Sequence, residues 1–294
     1  MDLSEYRYLV TTHWLAENLN NPDLRIIEAT SLLPNYFEDD ADQGLTKASG
    51  SREWRASHIP GSAFADILGD LSDQDDERRM YAMPDATRFA EVMSRLGVGN
   101  DSAVVIYDRQ FNMWASRLWW MLRSFGFDNA AVVDGGWQKW IEEGRPVSSE
   151  PPNYPPATFD AQAREELIAQ QAEVQEAIGQ ASTRLINALH PDEFAGRPPH
   201  RYARAGRIPS SVNVPFLVTV DPESQQFASD EELIKIFDSV GALNKEKVIC
   251  YCGGGIAACN TALALTRLGV DNVSLYDGSM TEWASDPSLP METG

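Results

Sequence analysis

The chain has 294 residues, room for two domains at the usual ~150 residues each. Hydrophobic residues make up 43% and charged residues 23%, which fits a globular chain and excludes a disordered one. Acids outnumber bases 44 to 24, a net charge of −20, so nucleic acid and anionic membrane surfaces are excluded as non-specific partners. The excess is even: 24 acids and 14 bases lie before residue 147, and 20 and 10 after it. An anionic small molecule would need a local gap in that field. Three cysteines make no disulfide framework and point to a reducing, cytoplasmic setting. The acidic start, Met1 to Tyr6, lacks the basic and apolar regions of a signal peptide. No apolar run approaches the ~18 residues of a membrane span.

In chain order, the first turn signal is His58-Ile59-Pro60-Gly61-Ser62, with His58 read as a structural turn residue. Ala103 to Tyr107 then reads as a strand, Ala115 to Phe125 as a helix and Ala130 to Val133 as a strand. Asp134-Gly135-Gly136 follows, ending at Trp140. Pro146, Pro151, Pro152, Pro155 and Pro156 mark an extended linker, since proline fixes φ and donates no N–H. Beyond it the pattern returns. Arg207-Ile208-Pro209-Ser210-Ser211 matches the His58 turn at an offset of 149 residues. Lys247 to Tyr251 reads as a buried strand, Ala257 to Leu268 as a helix stopped by Gly269, and Val273 to Tyr276 as a strand. Asp277-Gly278-Ser279, ending at Trp283, repeats the Asp134 segment at an offset of 143.

The second half therefore repeats the first. Strand, helix, strand with short connections implies α/β domains, each a parallel sheet with helices on both faces. The expected division is residues 1–146, a proline-rich linker over 147–160, and residues 161–294. Trp114, Trp119, Trp120, Trp137, Trp140 and Trp283 read as core or interface aromatics.

The chemistry lies in Cys252-Gly253-Gly254-Gly255-Ile256-Ala257, between a strand and a helix. Such a loop aims backbone N–H groups and the positive helix end at its mouth. A thiolate at its first position would be stabilised there, so Cys252 is a candidate nucleophile. Cys250 lies within the strand and Cys259 on the helix; both read as packing residues. No histidine or further cysteine joins Cys250 and Cys252 at ligand spacing, so no metal site is expected. The glycines also match a dinucleotide fingerprint, G-x-G-x-x-G/A, with Asp277 beyond the next strand. Too little chain remains to complete such a domain. A cysteine phosphatase would need an arginine where Ala258 stands.

Taken together, the motifs resemble the tandem-domain rhodanese-family sulfurtransferases, which include thiosulfate and 3-mercaptopyruvate sulfurtransferases. The matching residues are His58 to Gly61, Asp134 to Trp140, Pro191 to Gly196, Ile208-Pro209 with Val212 to Pro215, the Cys252 loop, and Asp277 to Trp283. The resemblance implies two rhodanese-like domains, the first non-catalytic, with Asp108 at the cysteine position. It implies a Cys252 persulfide that takes sulfane sulfur from 3-mercaptopyruvate or thiosulfate. That sulfur would pass to cyanide or a thiol, thioredoxin-like proteins included, without a cofactor. An alternative is a sulfur carrier or partner-binding protein that uses the fold without catalysis. The loop here carries no cation and no hydroxyl, so it departs from both donor patterns. Asn187, Leu189 and Glu193 also depart from the family, and Glu193 stands where animal enzymes place a substrate arginine. Residues 195–219 contain no acid but hold Arg197, Arg201, Arg204, Arg207 and His200. Arg197, Arg201 and Arg204 are therefore the candidates for binding an anionic donor. The rival reading is a solvated loop whose arginines balance neighbouring acids.

Overall fold

The computed structural model describes residues 1–33, 48–76, 79 and 81–294. The first unit contains β1 (Leu9–Val10), β2 (Leu24–Glu28), the small antiparallel pair β3 (Ser31–Leu32) and β4 (Ala48–Ser49), β5 (Ser62–Phe64), β6 (Ala103–Tyr107) and β7 (Ala130–Val133). Its main sheet has the order β1-β7-β6-β2-β5, and every pair is parallel. The second unit contains β8 (Thr183–Asn187), β9 (Val212–Asn213), β10 (Lys247–Tyr251) and β11 (Val273–Leu275). They form a parallel sheet in the order β11-β10-β8-β9. Ile168 adds a single parallel bridge to Leu275, where β1 meets β7 in the first unit.

β6 throughout, and β10 beyond its first residue Lys247, are apolar and buried, as befits strands covered on both faces. In each sheet the strand order reverses beside this strand. Ligands of open parallel sheets bind outside the carboxyl ends of the strands at such a point. Asp108 follows β6 there, and Cys252 follows β10.

The helices after these loops, Met113–Ser124 and Ala257–Arg267, are buried nearly all round. A helix apolar on every side must be covered on every side. Each lies on its own sheet, and the two pack on each other between the units. Two aspartates cross the junction reciprocally. Phe227 donates its N–H to Asp134 at 2.7 Å, and Met83 donates its N–H to Asp277 at 3.0 Å. The stretch 151–164 has no helix or strand and is stitched along the first unit. Phe159 N–H bonds Ser94 Oγ at 3.0 Å, and the N–H groups of Gln162 and Arg164 reach the carbonyls of Phe125 and Ser124.

The sequence-predicted strands and helices are present with ends shifted by at most two residues. Five of the six named tryptophans are fully buried, and Trp137 is half-buried beneath Arg109. His58 is buried between the carbonyls of Trp54 and Glu150, so it braces a turn. Arg207 does the equivalent work by reaching Phe194 O, Gly294 O and Glu292. Among the described residues no helix is long and apolar enough to cross a membrane.

Asp108 shows what the loop after β6 is built to hold. One carboxylate oxygen accepts the N–H groups of Gln110 and Asn112, at 2.7 and 3.1 Å. The other accepts those of Trp114 and Ala115, each at 2.8 Å. Burial pushes the Asp108 pKa up to about 7, against the pull of these N–H groups. Asp108→Ala would leave four inward N–H groups without their acceptor. We expect a loss of about 1–3 kcal/mol in urea unfolding, with the wild-type m-value retained.

Candidate active site

Three supports fix the loop that opens with Cys252. The first is Ser279, at φ +48°, a left-handed conformation unusual for a non-glycine residue. Its hydroxyl accepts the N–H groups of Cys252 and Gly255, at 3.0 and 3.2 Å, and donates to Tyr276 O at 2.8 Å. The first unit has Gly136 at this position, at φ +51°. The second unit thus accepts backbone strain of order 1–3 kcal/mol and gains a hydroxyl inside the loop.

The second support comes from the other unit. Arg117, fully buried on the Met113–Ser124 helix, donates Nη1 to Asp277 Oδ1 at 2.5 Å and to Gly255 O at 3.2 Å. Its Nη2 reaches Tyr81 O at 2.6 Å. Gly255 takes φ +78°, and a Cβ there would lie 2.8 Å from Asp277 Oδ1 and 3.0 Å from Arg117 Nη1. Glycine is required by both the conformation and the close approach.

The third support is the Asp277–Trp283 segment, whose backbone laces to the loop. Met280 N–H donates to Cys252 O at 3.0 Å, and Thr281 donates both N–H and hydroxyl to Gly253 O. Trp137 N–H makes the matching bond to Asp108 O in the first unit.

Cys252 itself is 2% exposed. Among the described residues no acceptor takes the N–H groups of Gly253, Gly254, Ile256, Ala257 or Ala258. These donors, with the first turn of the Ala257–Arg267 helix, are open to an anion held at the cysteine. Two tyrosines narrow the mouth. The Tyr202 hydroxyl occupies the place a Cβ on Gly253 would take, and the Tyr81 ring lies against Gly254. Burial, and secondarily the Cys252 sulfur, push the Tyr81 pKa upward, so its phenol remains a neutral donor. Cys259 lies on the buried helix face, its thiol 3.1 Å from Gly255 O, and burial pushes its pKa up to about 12. Cys250 is fully buried in β10 and its pKa is raised by burial as well. Both remain protonated and shielded, which leaves Cys252 as the cysteine at the loop mouth.

The arginine-bearing stretch is less positive than its own sequence implies. Arg204 gives its guanidinium to the carbonyls of Trp283, Ala284, Asp286 and Leu289, so it pins the C-terminal turn and offers no fork to a donor. Arg197 is exposed and bonds Asp192 at 2.7 Å. Arg201 lies 3.7 Å from Glu193, and Arg207 pairs with Glu292. The acids that balance the stretch come from just before it and from the far end of the chain. Arg201 is the chain neighbour of Tyr202, whose hydroxyl rests on Gly253 of the loop. Sequence reasoning did not find Arg117, Tyr81, Tyr202 or Ser279. The one available signal was Arg117 itself, a lone charge in the apolar run from Met113 to Leu122.

A family model for the rhodanese-like domain matches residues 11–143 and 170–286. Thiosulfate sulfurtransferase of Rattus norvegicus is 33% identical over 95% of this chain and 92% of its own. 3-Mercaptopyruvate sulfurtransferase of Mus musculus is 32% identical, with 95% and 92% covered. The crystal structure of SseA from Escherichia coli, described with the 3-mercaptopyruvate sulfotransferases, aligns with a TM-score of 0.80. That match is 31% identical and covers 92% of this chain and 98% of SseA. The chain belongs to the rhodanese family, with the domain present twice. It is an enzyme of that family's sulfurtransferase class.

Removing one partner of a buried ion pair strands the other charge. Arg117→Ala should therefore cost about 3–5 kcal/mol in stability, measured by denaturant unfolding. In the fraction that stays folded, the freed loop should lower kcat by about a hundredfold, read in a steady-state sulfur-transfer assay.

Proposed function

We propose that this enzyme moves a sulfane sulfur from a small anionic donor, 3-mercaptopyruvate or thiosulfate, to a thiol or cyanide through a persulfide on Cys252. The supporting observation is the loop around Cys252, with five N–H groups left open beside it. Asp108 supports the same reading, because the corresponding loop of the first unit already binds a carboxylate.

In the first half-reaction the Cys252 thiolate attacks the donor's sulfane sulfur. A new S–S bond forms, and the old bond to that sulfur breaks. The leaving group, sulfite or the enolate of pyruvate, takes the electron pair. The loop N–H groups hold the negative charge that stays on the terminal sulfur. In the second half-reaction an acceptor thiolate or cyanide attacks the outer sulfur and Cys252 leaves as thiolate. Tyr81 stands at the mouth as a neutral hydrogen-bond donor. Arg201, with Arg197 further out, is the cation proposed to draw the donor's anionic group; Arg204 drops out because its fork is occupied. Residues 161–294 form the catalytic unit in this reading, 1–146 the supporting unit and 147–160 the linker. All three cysteines are free thiols, which suits a reducing cytoplasm and thioredoxin-like acceptors.

Cys252→Ser should reduce sulfur transfer from either donor to the uncatalysed background while its urea unfolding curve stays that of the wild type. Cys250→Ala and Cys259→Ala should retain turnover. Transfer that survives in Cys252→Ser would move the chemistry to another residue.

A further inference from the structure

Glu193 works against the proposed reaction as it stands. It lies on the short Pro191–Ala195 helix, and its side chain is 14% exposed. Its Oε1 is buried and, among the described residues, accepts no hydrogen bond. The 3.7 Å to Arg201 Nε is an ion pair too long to be a hydrogen bond. Burial raises the Glu193 pKa, and Arg201, the backbone N–H of His190 and the His190 ring oppose that rise. A poorly solvated carboxylate of this kind is costly. Glu193 lines the same small cavity as Arg197, His200, Arg201 and Tyr202. Tyr202 joins that cavity to the loop, since its hydroxyl rests on Gly253 beside Cys252.

We propose that Glu193 is a specificity-determining residue that selects donors by charge, favouring the single carboxylate of 3-mercaptopyruvate over the dianion thiosulfate. The inference rests on the proposed Cys252 reaction and on Arg201 as its donor-binding cation. An anion drawn to Arg201 also meets the Glu193 carboxylate. Repulsion scales with the charge of the donor, so a dianion is penalised about twice as much as a monoanion. The loop supplies N–H groups but no cation to offset the second charge. Glu193 acts on the approach and seating of the donor, so its effect belongs in KM more than in kcat.

The test compares kcat/KM for thiosulfate and for 3-mercaptopyruvate in the wild type, Glu193→Gln and Glu193→Asp. Glu193→Gln keeps the shape and removes the charge. It should shift the ratio toward thiosulfate by about tenfold, mostly through KM. The shift should shrink as salt rises. Glu193→Asp should keep the wild-type ratio, which separates charge from packing. A ratio that is unchanged in Glu193→Gln, or that moves toward 3-mercaptopyruvate, overturns the proposal. Failure of the underlying reaction is seen separately, as a wild-type enzyme whose Cys252 acquires no sulfur from either donor.

Discussion

The buried pair of Arg117 and Asp277 is the contact on which the site depends. One guanidinium holds an aspartate beyond β11, the carbonyl of Gly255 in the cysteine loop and the carbonyl of Tyr81. Asp277 in turn accepts the N–H of Met83. Two charges are taken from water, and these hydrogen bonds offset the desolvation. The gain lies in register: the loop of one unit takes its shape from a side chain of the other. The unit without a cysteine therefore helps to shape the candidate active site.

Duplication explains why such a contact exists. Each unit carries a strand, a loop, a buried helix and a second strand ended by an aspartate. At the junction each aspartate accepts a backbone N–H from the opposite copy. The copies diverged inside the loop. In the first, Asp108 fills the cradle with a carboxylate of its own, so the donors are spent. In the second, a cysteine stands at that place and much of the cradle remains open. Ser279 replaces the glycine of the first copy and ties the loop from within, at the expense of a strained backbone. The two copies are one fold, with the cradle filled by Asp108 in the first and opened by Cys252 in the second.

Much of this was legible in the sequence because it is written locally. Strand β6, and β10 beyond Lys247, are apolar runs, and Gly126 and Gly269 punctuate the helices before the next strands. The repeat follows from matching motifs that recur at offsets of 149 and 143 residues. The glycine run beside Cys252 states its own conformational demand. What sequence could not give was pairing across distance. Arg117 meets Asp277 from 160 residues away, and Tyr81 approaches a loop in the other half of the chain. The arginines misled for the same reason. Counted within residues 195–219 they are an unopposed positive stretch, yet Asp192 and Glu193 lie just outside it and Glu292 returns from the C-terminal end. A charge window along the chain is not a charge window in space. The −20 net charge therefore has less of a gap beside Arg201 than composition suggests, because Glu193 sits against it.

The proposed mechanism turns on where sulfur resides between the half-reactions. The direct measurement is intact-mass analysis of donor-treated protein, followed by peptide mapping under non-reducing conditions. The account predicts the mass of one sulfur atom added per chain, located on the peptide that carries Cys252 and removed by cyanide. Sulfur found on Cys250 or Cys259, or on no cysteine while turnover proceeds, would contradict it.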